Sequence, residues 1–384
     1  MQKIQIKFKL LIRTLPALSL ALALVYSCQS GPQKLSAVSS DNQPVSLELV
    51  SKQPDEISVM SFNIENLFDT THDKDREDFS YLPFAEKQKN PEVLKFCSEM
   101  KNKTYREECQ SLDWNEEVVK VKLKNISQVI RYVDHGHGPD NLFLLEVENE
   151  SILKRLVHDE LSDLGYQTVV LLEGPDLRGI DPGFISKFPM SGKPIMHIIP
   201  YSDPNPEQLK WAQRSRGILE VTVKAPNSKN ITFLVAHFPS QSNPTEWRAQ
   251  AVQYAKKLMA DYQKQGRTII FGGDLNIIDQ EENEKGYFKN ELSQVGQISH
   301  LVGCKQCHGT HNYKGEWSHL DVLVFANNLK SLGFELIPDS IQVVNTSVHM
   351  KRNGTPLRFN AAKKEGVSDH FPLYSRLKIL KTPN

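Results

Sequence analysis

The chain has 384 residues, 46 Lys and Arg against 46 Asp and Glu, and 39% hydrophobic residues. That is long and apolar enough to bury a large core, which excludes a largely disordered chain. The balanced charge lacks the basic footprint of a general nucleic-acid binder, so such a ligand would need a local basic groove.

Lys3, Lys7, Lys9 and Arg13 precede an apolar run over 15–25, followed by Ser27 and Cys28. A charged start, a short apolar stretch and a small residue before a cleavage point make an export leader. Val25-Tyr26-Ser27-Cys28 is similar to a bacterial lipobox, in which Cys28 is lipidated and becomes the mature N-terminus. An ordinary secretory signal with an incidental cysteine is the alternative. The expectation is an exported, membrane-anchored lipoprotein, periplasmic or at the cell surface. Residues 1–27 are then the signal peptide, 28–55 a Ser-, Gln- and Pro-rich tether, and 56–380 the catalytic domain. Removing the leader takes away four basic residues and no acid, leaving the rest mildly acidic.

Residues 57–63 alternate and predict a strand ending at Asn63. Residues 69–115 are charged and irregular and predict a solvated insertion. Its Asp73, Asp75 and Asp78 lack the central glycine and terminal glutamate of a Ca²⁺ loop. Val119, Leu123, Ile126, Val129, Ile130 and Val133 recur at helical spacing. The run 142–147 reads as a strand buried on both faces, 152–164 as a helix and 168–172 as a strand. Strands are also predicted at 195–199, 218–223, 231–237, 268–271, 320–325 and 371–377, with a long amphipathic helix over 246–265. Many strands with three or four helices, and no strict alternation of the two, predict an α/β (α+β) fold. Its architecture would be a four-layer sandwich, two packed mixed β-sheets flanked by helices.

Cysteines in an oxidising compartment pair. Local pairing joins Cys97 to Cys109 and Cys304 to Cys307, whose Cys-x-x-Cys spacing leaves a small Zn²⁺ site open. Cys304-Lys-Gln-Cys307-His308 also matches the pattern of c-type haem attachment.

Polar side chains close several apolar runs: Asn63-Ile-Glu65-Asn66, Glu146-Val-Glu148-Asn149, His237-Phe-Pro-Ser240, Gly273-Asp274-Leu-Asn276, Ser318-His319-Leu-Asp321 and Ser368-Asp369-His370. An Asp next to a His offers a carboxylate that can orient an imidazole, and Asp-x-Asn at a strand end can hold a water or a hard cation. Each group also has a bland reading. Glu146 could be a solvated strand-end acid, His237 a core histidine, Asn63 and Asn276 Asx-turn residues, and Asp369–His370 a surface pair. Taken in this order, over roughly 57–378, the set resembles the endonuclease/exonuclease/phosphatase superfamily with its DNase I-like fold. Glu146-Val-Glu148-Asn149 and Arg178-Gly-Ile-Asp181 look like a branch of secreted or anchored bacterial members.

The resemblance implies Glu146 as the principal Mg²⁺ ligand, Asn63 supporting it, Glu65 as an assisting acid and Asp369 beside the metal, with Mn²⁺ or Ca²⁺ as alternatives. Asp274 would align or deprotonate the attacking water, and Asn276 would donate to the phosphoryl oxygen. His370, oriented by Asp321, would bind the phosphate, and His237 would act on the leaving-group side. Arg178 suits bidentate recognition of phosphate and is paired with Asp181 as a substrate contact; a loop-stiffening salt bridge from Arg178 to Asp181 or Asp176 is the alternative. His300, His308, His311 and His319 show no ligand spacing and stay outside the site.

The activity so implied is a metal-dependent phosphoesterase, cleaving phosphodiester or phosphomonoester bonds by in-line attack of water. An exported, monomeric, nuclease-like hydrolase fits, with nucleic acid among its candidate partners. A sphingomyelinase- or phospholipase C-like enzyme would gain from an exposed aromatic hairpin, whereas Trp211 and Trp247 stand apart. The sequence offers no counterpart of the tyrosine and DNA-penetrating loop of abasic-site endonucleases. A non-catalytic binding protein on the same fold is the third reading, disfavoured by the intact polar set.

Overall fold

The computed structural model describes residues 52–304 and 307–381. The expected leader, Cys28 and nearly all of the tether lie outside the described residues. Among those described, no helix is long and apolar enough to cross a membrane.

The chain begins with β1 (Glu56–Leu67), three short helices α1 (Phe84–Lys87), α2 (Pro91–Glu99) and α3 (Lys103–Ser111), then α4 (Glu116–Ile130) and β2 (Asn141–Val147). It continues through α5 (Glu150–Glu160), β3 (Thr168–Leu171), β4 (Asp181–Ser186), β5 (Ile195–His197), α6 (Pro206–Ala212), β6 (Ile218–Lys224) and β7 (Asn230–His237). The second half runs α7 (Thr245–Lys264), β8 (Ile269–Asp274), α8 (Asp279–Lys285), β9 (Gly296–Ile298) and α9 (Ser299–Val302). The hairpin β10 (His311–Tyr313) and β11 (Glu316–Ser318) then precedes β12 (Asp321–Ala326), β13 (Phe334–Val343) and β14 (Leu373–Ile379).

Two six-stranded sheets result, ordered β13-β14-β1-β2-β4-β3 and β5-β6-β7-β8-β12-β9. Each is mixed: β1 runs parallel to β2, β7 parallel to β8, and the other neighbours are antiparallel. Side chains alternate across a strand, so each central strand feeds two cores. Ile57 and Val59 of β1, Phe143 and Leu145 of β2, Phe233 and Val235 of β7, and Leu323 and Phe325 of β12 fill the space between the sheets. Met60, Phe62, Leu142 and Leu144 turn the other way, onto Leu123, Ile126 and Ile130 of α4 and Leu153 of α5. Leu234, Ala236, Val322 and Val324 turn outward onto Trp247, Ala251, Val252 and Ala255 of α7. The layers are therefore helix, sheet, sheet, helix. Both principal helices of the first layer start on an asparagine cap: Asn115 accepts from the amides of Glu117 and Val118, and Asn149 from that of Ile152.

Two expectations need correction. Nine α-helices occur among the described residues, not three or four, most of the extra ones being too short to show periodicity. The 69–115 segment, though largely exposed, is not irregular. It forms α1–α3 around a small core of Phe79, Leu82, Val93, Cys97 and Cys109, with a Cys97–Cys109 disulfide. Lys87 is buried there and caps the carbonyls of Ser80, Cys109 and Leu112. A basic side chain used as an internal donor makes the segment read as solvated in sequence. A second disulfide joins Cys304 to Cys307.

Candidate active site

Strand register brings the polar groups together. His237 on β7 and Asp321 on β12 both lie directly opposite Asp274 on β8, so three polar residues stand abreast at the ends of adjacent strands. Gly273 makes this approach possible. It has φ +131°, and a Cβ there would lie 1.9 Å from the Ala236 carbonyl oxygen. In the other sheet the ladder slips between Leu144 and Val147, and Glu146 takes φ +66°. Such a bulge re-aims a side chain, and a non-glycine residue at positive φ costs on the order of 1–3 kcal/mol. Glu65, Asn66 and Asn276 are also at positive φ. The backbone departs from regular structure where these polar side chains meet.

Asp274 Oδ2 is the convergence point. Asn63 Nδ2 donates to it at 2.9 Å, His237 Nε2 lies 3.4 Å away and His370 Nε2 3.8 Å away. The other oxygen accepts from the Asn276 amide at 2.9 Å, while the Asn276 side chain donates to the Phe238 carbonyl at 3.1 Å. Asn276 thus clamps Asp274 and does not aim its amide outward. Asn63 also donates to Glu146 Oε1 at 3.2 Å, and the Asn66 amide donates to Glu146 Oε2 at 3.1 Å. Both carboxylates are held from the end of one strand.

His370 is buried with Nδ1 2.7 Å from Asp321 Oδ2. Burial alone would lower its proton affinity, but the carboxylates of Asp321 and Asp274 raise it well above the ordinary value. Burial, followed by the charges of Arg216 and Arg178, pushes His237 well below its ordinary value. The two imidazoles are therefore pushed in opposite directions, His370 toward the cationic form and His237 toward the neutral one. Burial pushes Asp274 up to about 7 against the pull of His370. Ser368 stitches the site together, accepting from the His370 amide at 3.1 Å and donating to the Asn63 carbonyl at 2.6 Å.

Glu65 and Asp369 occupy one rim. Glu65 Oε1 accepts from Arg358 Nε at 2.6 Å and Oε2 from the Phe359 amide at 3.3 Å, so both oxygens are engaged. Burial and then the Asp369 charge raise Glu65 to about 7. In this arrangement Glu65 anchors a wall of the site. Asp369 is more open, its Oδ2 facing Arg358 at 3.7 Å and its Oδ1 facing His370 Nε2 at 3.9 Å.

Arg178, in the 174–181 loop, has its side chain 56% exposed and bonded to Asp176 at 3.2 Å. Asp176 is the partner, not Asp181. The Asp181 carboxylate is buried and accepts from the Gly174 amide at 2.9 Å, so it shapes the 174–181 loop and does not reach a substrate. The stretch leading into α1 supports this loop: Arg76 donates to the carbonyls of Gly174 and Asp176, and the Glu77 amide to that of Leu177.

The structure adds residues that sequence reasoning missed. Arg216 holds the carbonyls of His237 and Phe238 and pairs with Asp176 at 2.7 Å. Lys122, buried on α4, donates to the carbonyls of Glu65 and Val367. Arg358 comes from a loop without periodicity. His311, set outside the site on spacing, has its ring 4.7 Å from that of His370. The Gly309-Thr310-His311 turn, next to Cys307, was its only sequence signal. His300 and His319 stack on each other against Phe288, away from this group.

The sequence profile of the Endonuclease/Exonuclease/phosphatase family matches residues 97–379, and the chain belongs to that family. No curated protein sequence matches it significantly. Among solved structures, it is similar to an endonuclease/exonuclease/phosphatase from Beutenbergia cavernae, with TM-score 0.51 and 14% identity over 86% of this chain and 73% of that one. A family protein from Bacteroides thetaiotaomicron gives TM-score 0.50 and 13% identity over 86% of this chain and all of that one. A mannosyl-6-phosphatase of the same species gives 0.50 and 13% over 84% and 99%. The architecture is the DNase I-like fold.

Proposed function

We propose that the chain is a divalent-metal-dependent phosphoesterase that hydrolyses its ester by in-line attack of water. The observation that carries this reading is the convergence of Asn63, His237 and His370 on one oxygen of buried Asp274, next to Glu146. The residues fit a hard cation. Glu146 and Asp369 present carboxylate oxygens that are only partly covered, and Glu146 is held at both oxygens by N–H donors. Mg²⁺ is the first candidate, with Mn²⁺ and Ca²⁺ as alternatives. When bound, the cation would polarise the phosphoryl group and offset charge developing on its oxygens.

The protein groups divide the remaining work. Asp274, oriented by Asn63 and the Asn276 amide, takes a proton from the attacking water. His370, kept cationic by Asp321, meets charge developing on the phosphoryl oxygens. Neutral His237 holds a proton position on the leaving-group side. The Arg178 and Arg358 guanidiniums, with 56% and 63% of their side-chain surface exposed, supply local positive charge for a phosphodiester. Export supports an extracytoplasmic, nuclease-like role, the leader and Cys28 being its basis.

A panel of plasmid DNA, RNA, sphingomyelin, inositol phosphates, a sugar phosphate and a generic bis-ester, each with Mg²⁺, Mn²⁺ or Ca²⁺, tests substrate and metal together. On whichever substrate is cleaved, Asp274→Asn and His370→Ala should each lower kcat about 10²–10⁴-fold. Full activity in either variant would place the site elsewhere. Cys28→Ala should leave the protein uncleaved or out of the detergent phase while wild type partitions into it; equal partitioning rejects the anchor.

A further inference from the structure

His311 is the polar ring at this centre that the proposed hydrolysis does not use. Its backbone is fixed on several sides. His311 bridges to His370, the Phe371 amide donates to the Thr310 carbonyl at 2.7 Å, and the Asp321 amide donates to Thr310 Oγ1 at 3.0 Å. The β10–β11 hairpin continues from it. The ring is half-buried. One ligand atom from each of His311, Asp369 and His370 lies within 4.8 Å of the other two.

The three groups are oriented as ligands. Asp321 binds His370 Nδ1 at 2.7 Å and Nε2 faces the cluster; Nε2 carries a proton when His370 is cationic and becomes a ligand only by releasing it, so cation binding here competes with that protonation. A carboxylate behind an imidazole is the usual outer support of a metal-binding histidine. Asp369 divides its oxygens, Oδ2 toward Arg358 and Oδ1 toward His370, so one oxygen faces the histidines. Two imidazoles and one carboxylate with open positions favour borderline cations such as Zn²⁺ over Mg²⁺, which prefers oxygen and retains its waters.

We propose that His311, Asp369 and His370 form a second cation site, selective for the Zn²⁺ class, at the edge of the candidate phosphoesterase centre. It rests on that reading for its setting, but its binding can be measured without substrate. The full chain, disulfides intact, is dialysed against Zn²⁺ alone and then with Mg²⁺ in excess. One Zn²⁺ should be retained despite the Mg²⁺. His311→Phe, which keeps a ring beside His370, should weaken retention more than about 100-fold. Asp321→Asn, which removes only the outer support, should weaken it about 10–100-fold. Anomalous diffraction at the zinc edge should place the ion between the two imidazoles in the unaltered protein, which serves if His311→Phe does not fold. Displacement of Zn²⁺ by Mg²⁺, retention unchanged in folded His311→Phe, or an anomalous peak elsewhere would overturn the proposal. A protein inactive on every phosphoester but binding zinc this way would sink the phosphoesterase reading and leave this one standing.

Discussion

Glu146 and Asp274 are held by the same asparagine, yet removing the charge from each should have different effects. Glu146→Gln keeps the side chain's length and one acceptor oxygen but loses the negative charge that attracts a cation. Its activity should therefore fall at low Mg²⁺ and partly recover at high Mg²⁺, read as a rise in the Mg²⁺ concentration for half-maximal rate. Asp274→Asn should not be rescued by Mg²⁺. Asp274 and His370 act on one event, so the double variant Asp274→Asn/His370→Ala should be far less damaged than the product of the singles. The residues legible in the sequence share one trait: they flank or interrupt an apolar run at the edge of a strand, as Glu146 follows 142–145 and Asp321 precedes 322–326. Arg358, Lys122 and His311 were not legible because their meaning depends on contacts far along the chain. Arg358 meets Glu65 across 293 positions, and Lys122 meets Val367 across 245.

At the scale of elements, the α4 helix positions the site through one buried ammonium. Lys122 joins the end of β1 to the segment entering Ser368-Asp369-His370. Lys122→Met keeps the stem but leaves two buried carbonyls unpaired, at a cost of about 1–3 kcal/mol each. A lower Tm with a reduced kcat is expected; an unchanged rate would show that the link holds the fold but not the site. The α1–α3 segment is the other support. Its disulfide closes a loop whose ends are 12 positions apart, and removing it costs roughly 3 kcal/mol by loop-closure entropy. Cys97→Ser/Cys109→Ser should make the segment sensitive to limited proteolysis. Through Arg76 it should also raise KM, since the Arg178 loop loses its prop. The central strands of both sheets could be read from alternation and apolar runs. This segment could not, although its disulfide was expected, because an aromatic cluster of Phe68, Tyr81 and Trp114 replaces the regular periodicity of a core.

Across the whole molecule, pH acts through buried acids. Burial, and then the charge of Asp69, pushes Glu148 from 4.5 up to about 9. Its folded state binds the proton more tightly than the unfolded chain, so this stabilisation is complete below about pH 4.5 and is lost as pH rises toward 9. Glu148→Gln should flatten the fall of Tm over that window, measured by thermal melts; an unchanged slope would assign the effect to other groups. The strand order carries a different consequence. β14 (Leu373–Ile379) lies between β13 and β1, and pairs Lys378 with Glu56. Among the described residues the first strand therefore waits for the last one, more than three hundred residues later, before its sheet can close. This sheet stays open in a nascent chain until synthesis has passed Ile379. A chain stopped before Leu373 should lack a cooperative melt, because it is missing an interior strand and not a tail.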